Sequence, residues 1–261
     1  MLKIIILGSG NAFAHANQFQ SCHYIEFEKT YSILLDCGPA ILQAVQAAEV
    51  NVDNLEYLLI SHLHGDHIAG IPFLLLHYKF IVQRFSKPLK IIGPPGLTKQ
   101  LEQLLQGNYP NLLKKEEKLF EVYEIQLHEE KTLFDTITIK SYEANHFNNA
   151  YGYTIQKDDL KVIYSGDNEF KPDQLDEFTY GTVLIHELTT MSETRGGHTS
   201  WNLLKEYIDD ILSKVGKVIA VHTGEDVRNE PESTFDGKII RARDGSVFEF
   251  NEKGRMYQMV L

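Results

Sequence analysis

The densest run of chemistry-bearing side chains in this 261-residue chain is Ser61-His62-Leu63-His64-Gly65-Asp66-His67. It follows the apolar segment EYLLI, which reads as a strand, and precedes Ile68-Ala69-Gly70-Ile71-Pro72, which reads as the start of a helix. On a strand-to-helix turn His62 and His64 point the same way, while Asp66 and His67 open the helix and fold back toward them. Imidazole and carboxylate together suit Zn, Mn or Fe, and two sets of such ligands suit a pair of ions. Burying these imidazoles and a carboxylate without a partner would be costly, which argues against a chance surface loop.

The flanking patterns alternate between strand and helix. Strands are predicted at Leu2–Leu7, Cys22–Phe27, Ser32–Asp36, Leu55–Ser61, Lys90–Ile92, Thr132–Tyr142, Tyr151–Gln156, Lys161–Ser165, Thr182–His186 and Lys217–His222. Helices are predicted at Pro39–Ala48, His67–Phe85, Leu97–Leu105 and Ser200–Lys214. In the tail KIIRARDGSVFEF two strand-like runs flank Asp244-Gly245, a hairpin signal. Mixed α/β architecture with two sheets follows. With no long repeat, low-complexity tract or linker, residues 1–261 read as one domain, the densest charge cluster being KKEEK at Lys114 to Lys118.

Composition narrows the function. A hydrophobic content of 43% suits a full buried core, and the net charge of −11 disfavours a general nucleic-acid binder. The only cysteines, Cys22 and Cys37, read as reduced thiols in a cytoplasmic core. The apolar stretch Ile4 to Leu7 is too short for a signal-peptide core, and Ile71 to Phe85 is interrupted by His77, Lys79 and Arg84, so neither secretion nor a membrane span is expected.

The block His62, His64, Asp66 and His67 forms HxHxDH, the signature of the metallo-β-lactamase superfamily, which the chain resembles over most of its length. ILGSG at Ile6 to Gly10, LLDCG at Leu34 to Gly38, His146, SGD at Ser165 to Asp167 and the late His222 fall in that family's order. The resemblance implies an αββα sandwich, two mixed β-sheets flanked by helices, with a dinuclear site among loops at one edge. It assigns His62, His64 and His146 to one divalent ion and Asp66, His67 and His222 to a second, with Asp167 bridging. Zinc is the expected metal, with manganese or iron as alternatives. His146, Asp167 and His222 each follow a strand, where loops can converge on metals. Asp36 falls at a family position that orients neighbouring loops and is not counted as a ligand.

His198, in Gly196-Gly197-His198-Thr199-Ser200, resembles the histidine of the HST motif of ribonuclease Z and related phosphodiesterases, and Glu187 matches the acidic residue that orients it. Phosphodiester hydrolysis needs its leaving alkoxide protonated, which a carboxylate-held histidine can do near neutral pH. The implied mechanism has two ions acidifying a water and stabilising phosphoryl charge, Asp66 accepting or orienting the water's proton, His198 as general acid and Glu187 fixing its tautomer.

The interval between His146 and Asp167 is too short for the arm with which ribonuclease Z grips tRNA. The chain therefore looks more like the small-substrate branch, such as phosphoribosyl cyclic phosphodiesterase, and a small cyclic or open phosphodiester is the expected substrate. The alternatives are a tRNA 3′-processing endoribonuclease whose arm comes from a partner, a thioesterase or lactonase of the same fold, and a non-catalytic metal-dependent sensor. His15 lies on a loop that approaches the site in the family and is a candidate substrate contact. His23, His77, His128 and His186 read as structural or surface groups, and LGSGN lacks the full GxGxxG of a dinucleotide site. The apolar segment after His67 points to a homodimer.

Overall fold

The computed structural model describes residues 1–84, 87–113, 118–194 and 196–260, with the backbone alone at Ala16. In chain order the elements are β1 (Leu2–Gly8), β2 (Cys22–Phe27), β3 (Tyr31–Leu35), α1 (Ile41–Ala47), β4 (Tyr57–Leu59), α2 (Gly65–Ile68), α3 (Ile71–His77), β5 (Leu89–Gly93), α4 (Leu97–Asn108), β6 (Phe120–Glu124), β7 (Glu130–Leu133), β8 (Ile137–Glu143), β9 (Tyr151–Lys157), β10 (Leu160–Tyr164), β11 (Val183–Glu187), α5 (Trp201–Lys214), β12 (Val218–Val221), α6 (Glu225–Asn229), β13 (Ile240–Arg241), β14 (Ser246–Phe250) and β15 (Met256–Val260). One sheet has the order β15-β14-β1-β2-β3-β4-β5-β6, the other β13-β12-β11-β10-β9-β8-β7, and both mix parallel and antiparallel pairs.

Strand alternation explains the layering. In β1, Ile4 and Ile6 face the second sheet and meet Ile139, Tyr153, Ile155 and Val162, while Ile5 and Leu7 turn to the opposite side, under Ile41 and Val45 of α1 and Leu74 of α3. The outer face of the second sheet, with Ile163, Leu184 and Ala220, is covered by Leu204, Ile208 and Ile211 of α5. Each strand buried on both faces reads as a continuous apolar run, and each fully buried Ile or Leu contributes about 1.5–3 kcal/mol. The result is the expected sandwich, helix, sheet, sheet, helix. Among the described residues no helix is long and apolar enough to cross a membrane.

Four local expectations are corrected. The run Thr132–Tyr142 is two strands, β7 and β8, because Phe134 and Asp135 turn the chain at positive φ (53° and 59°). The tail is no hairpin: β13 joins β12 in one sheet and β14 joins β1 in the other. Arg241, bonded to Arg228 O at 2.9 Å and to Glu232 Oε1, holds the first run, while Asp244 is drawn away by Ser9 N and Phe19 N at 2.8 and 2.6 Å. The helix expected over His67–Phe85 breaks at Gly70, packed so closely on the Gly38 carbonyl that a Cβ would lie 2.1 Å from the oxygen; α3 then restarts with Pro72 in its first turn. It ends in a wider π-type turn at Tyr78–Val82, where the Tyr78 hydroxyl donates to Val52 O (2.9 Å), and Phe85 lies outside the described residues. Strand β6 was not expected, since FEVYE is a largely exposed edge strand whose charges hide the pattern. Residues 114–117 of the charge cluster lie outside the described residues.

Candidate metal centre

The HxHxDH segment leaves β4 and enters α2 at the edge where both sheets end. It is held from below by Asp36, which follows β3, the parallel neighbour of β4. The Asp36 carboxylate accepts from Ser61 N and Ser61 Oγ (both 2.7 Å), from His67 Nδ1 (2.7 Å) and from the Tyr164 hydroxyl (2.5 Å). Ser61 Oγ, having donated its proton to Asp36, accepts from His62 Nδ1 at 3.1 Å. One buried carboxylate thus sets the orientation of His62 and His67. Asp36 and His222 both adopt left-handed backbone (φ 55° and 53°), strain of the kind that collects at functional sites.

The seven ligand candidates come together in two groups sharing Asp167: His62, His64, His146 and Asp167, and Asp66, His67, Asp167 and His222. Within each group one donor atom per residue lies within 4.8 Å of the others. Asp167 lies 3.3 Å from His67 Nε2, 3.3 Å from His222 Nε2, 3.7 Å from His62 Nε2 and 3.9 Å from His146 Nε2. His146 directs its Nδ1 to the carbonyl of Gly197 (3.0 Å), so its Nε2 faces the cluster. The Nε2 atoms of His62 and His67 are buried and make no hydrogen bond. Lone donor nitrogens beside two carboxylates fit a divalent cation of the zinc type, and these groups could hold metal ions.

Charge follows the same geometry. Burial pushes the Asp167 carboxyl up, but His222 and His67 outweigh it and hold it well below the usual range; Asp66 is depressed in the same way by His222 and His67. Burial works against charge on His67, yet Asp167 and Asp36 hold it well above its ordinary value. His62, with burial dominant, is pushed down to about 3.

Beside the cluster, His198 Nδ1 lies 2.8 Å from Glu187 Oε1 and 4.0 Å from Asp167 Oδ2, its ring stacked on His222. Burial alone would lower its pKa, but the Glu187 hydrogen bond and charge win and push it up to about 9. Glu187 is buried; Oε1 also accepts from Asn168 N (2.9 Å) and Oε2 from the Thr189 hydroxyl (2.7 Å). Asp66, Asp167, His198 and His222 open into a cleft of about 330 Å³ rimmed by Asn11, Phe13, His15, Thr190, Glu225 and Asp226, so His15 sits on the cleft wall. Of the remaining histidines, His23 and His186 are buried, His77 pairs with Asp53 (2.9 Å) and His128 is exposed. The sequence did not single out Tyr164, Asn168 or Thr189, whose roles depend on partners far off in the chain: Asp36 for Tyr164, Glu187 and Thr199 for Asn168, and His222 for Thr189.

The family model for the Anti-Pycsar protein Apyc1 matches residues 2–245. An Anti-Pycsar protein Apyc1 of Bacillus phage 010DV004 is 24% identical over 242 residues, covering 87% of this chain and 91% of that protein. A Ribonuclease Z of Agathobacter rectalis is 30% identical over 158 residues, covering 60% of this chain and 49% of that enzyme. Two solved structures share the fold: YhfI from Bacillus subtilis, a metallo-beta-lactamase fold protein (TM-score 0.78, 21% identity, 95% of this chain and 100% of that one), and Zn(2+)-bound PqqB from Methylobacterium extorquens (TM-score 0.75, 15% identity, 95% and 100%). The resemblance to the metallo-β-lactamase superfamily and its ribonuclease Z-like branch therefore holds. The chain is a hydrolase of that fold and belongs to the Anti-Pycsar protein Apyc1 family.

Proposed function

We propose that the chain, acting as one domain, is a metal-dependent phosphodiesterase for a small cyclic or open phosphodiester. The observation that carries this reading is the His198–Glu187 pair at 2.8 Å, set against the ligand cluster: together with His222 the pair also lies close enough to hold an ion, but His198 is engaged through Nδ1 and the two four-residue groups are complete without it. His62, His64 and His146 would hold one divalent ion and Asp66, His67 and His222 the other, with Asp167 shared; the buried Nε2 atoms of His62 and His67, which face Asp167 at 3.7 and 3.3 Å without a hydrogen bond, support that division. Bound there, the ions would supply Lewis acidity toward the phosphoryl oxygens and toward water.

The protein's own groups supply the rest. Asp66, whose depressed pKa keeps it ionised at neutral pH, borders the cleft and can take or orient the nucleophile's proton. With its pKa near 9, His198 is protonated at neutral pH and can give its Nε2 proton to a leaving alkoxide, while Glu187 keeps the Nδ1 side fixed. The cleft suits a compact ester: Phe13, 78% exposed, offers a flat apolar face on its rim, and among the described residues lining it none is Lys or Arg to meet an additional phosphate. Between His146 and Asp167 the chain forms only the β9–β10 hairpin and its flanking loops, which supports a small substrate over tRNA. Exposed Phe73, Phe80 and Ile81 on α3 and the turn after it support pairing with a second copy, and a cytoplasmic setting is the one we favour.

The test is a panel of bis-p-nitrophenyl phosphate, cyclic nucleotides, cyclic ribose phosphates, thioesters and pre-tRNA offered to the zinc-loaded protein. Hydrolysis of the small diesters is expected. Thioester cleavage without diester cleavage would favour the thioesterase reading, and bound metal with no turnover would favour the sensor.

A further inference from the structure

Thr189 follows β11 and is tied to both functional loops. Its N–H donates to Thr199 O (3.1 Å), beside His198, and its carbonyl accepts from Gly224 N (3.1 Å), two residues beyond His222. That second approach requires a glycine, since a Cβ on Gly224 would lie 2.3 Å from Thr189 O. The Thr189 hydroxyl then faces three partners at once: Glu187 Oε2 at 2.7 Å, His222 Nδ1 at 3.0 Å and His222 O at 3.2 Å.

A hydroxyl has one proton to give, so these three contacts are not equivalent. The proton goes to Glu187 Oε2, the shortest contact and the only charged acceptor, where a charge-assisted bond is about twice as strong as a neutral one. The hydroxyl oxygen is left as an acceptor 3.0 Å from His222 Nδ1. Two lone pairs at that separation repel, so Nδ1 must carry a hydrogen. With a hydrogen held on Nδ1, Nε2 is the nitrogen left free to bind a cation, and it is turned to Asp66 Oδ2 (3.5 Å) and Asp167 Oδ2 (3.3 Å), the position a cation would fill.

We propose that Thr189 is a positioning residue that couples the two halves of the site: one hydroxyl fixes the tautomer in which His222 can ligate a metal and anchors the carboxylate that holds His198. The inference rests on the metal-hydrolase reading of the cluster but not on the choice of substrate. His62, His64 and His146 do not touch Thr189, so the coupling is confined to the ion held by Asp66, His67 and His222 and to the general acid.

The experiment compares Thr189→Val, which keeps the shape and loses the hydroxyl, with Thr189→Ser, which keeps the hydroxyl. Zinc affinity is read by competition with a chromophoric chelator, and folding by thermal melting. Thr189→Val is expected to bind one zinc ion like the parent and the second about 10–100-fold more weakly, the usual effect of removing an outer hydrogen-bond partner. It should also lose more rate on diesters with alkoxide leaving groups than on p-nitrophenyl esters. Thr189→Ser is expected to restore both. Two unchanged zinc affinities in folded Thr189→Val, or a Thr189→Ser protein as impaired as Thr189→Val, would overturn the proposal. If Thr189→Val does not fold, nitrogen-15 imidazole spectra of the zinc-loaded parent decide: His222 protonated at Nδ1 supports the proposal and at Nε2 refutes it. A parent that binds two zinc ions and cleaves no diester would defeat the proposed function while leaving the affinity and tautomer readouts intact.

Discussion

Replacing His198 with Ala separates a general acid from a ligand. Among the described residues its side chain makes one hydrogen bond, from Nδ1 to Glu187 Oε1, and it is 20% exposed, so the substitution leaves both four-residue clusters whole and opens a void that water can enter. Metal content should therefore match the parent. A general acid contributes roughly 10²–10⁴-fold, and the loss should appear in full on diesters with poor alkoxide leaving groups and shrink to a small factor on p-nitrophenyl esters, whose leaving group hardly needs a proton. The raised pKa adds a pH signature. His198 is protonated below about 9 and loses its proton above it, so the parent's rate on alkoxide esters should fall above that pH, and His198→Ala should lack this limb. Glu187→Gln removes the charge that holds the pKa up against burial, so less of the imidazole is protonated at neutral pH. Its alkoxide rate should drop at pH 7, and the limb should move to lower pH. The assay is a pH–rate series on paired substrates with zinc measured in the same samples. If His198→Ala loses metal, or slows both substrate types equally, the imidazole is a ligand or a structural group and the general-acid reasoning fails.

Asp167→Ala should lose at least one of two bound ions by elemental analysis, together with most activity, because Asp167 is the one residue common to both clusters; full occupancy in that variant would sink the assignment. Pre-tRNA 3′ trimming should be slow or absent while small diesters are cleaved at the same enzyme concentration, and efficient trimming at physiological salt without a partner would place the protein in the other branch. Asp36→Asn should lower the unfolding free energy of the metal-free protein by about 3–5 kcal/mol in urea titrations, since it removes one charge from a buried pair with His67. A loss under 1 kcal/mol would show that Asp36 does not carry the loop.

What could be read in the sequence was what is contiguous in it. His62, His64, Asp66 and His67 fall within six positions, and strand-end His146, Asp167 and His222 gain meaning from that run. A mixed α/β chain with two sheets was equally open to reading, because strands such as β1, β10 and β11 are rich in Ile, Leu and Val, whereas the stacking of those sheets into a sandwich was implied only by the family resemblance. The tail misled because Asp-Gly is a local turn signal, whereas its fate is decided by Asp244 bonding Ser9 and Phe19 more than 200 residues away in the chain. Thr189 was illegible for the same reason: a threonine after a strand has no pattern, and its role appears only when Glu187 and His222 meet on its hydroxyl.

The electrostatics explain why so much of the site's support lies behind the ligand candidates. Asp36 and Asp167 are buried carboxylates, and neither pairs with Lys or Arg among the described residues; the imidazoles of His62, His67, His146 and His222 are what face them. A buried carboxylate without a cation is expensive, and although burial opposes charge on His67, Asp167 and Asp36 hold its pKa well above the ordinary value. The fold tolerates this because Asp36 receives four hydrogen bonds from Ser61, His67 and Tyr164, and because hydrophobic clusters on both sides of each sheet lie beneath it. His62, His67, His146 and His222 are each engaged on the far side of the ring, through Nδ1, by Ser61, Asp36, Gly197 and Thr189, which leaves their Nε2 atoms turned toward one another around Asp167.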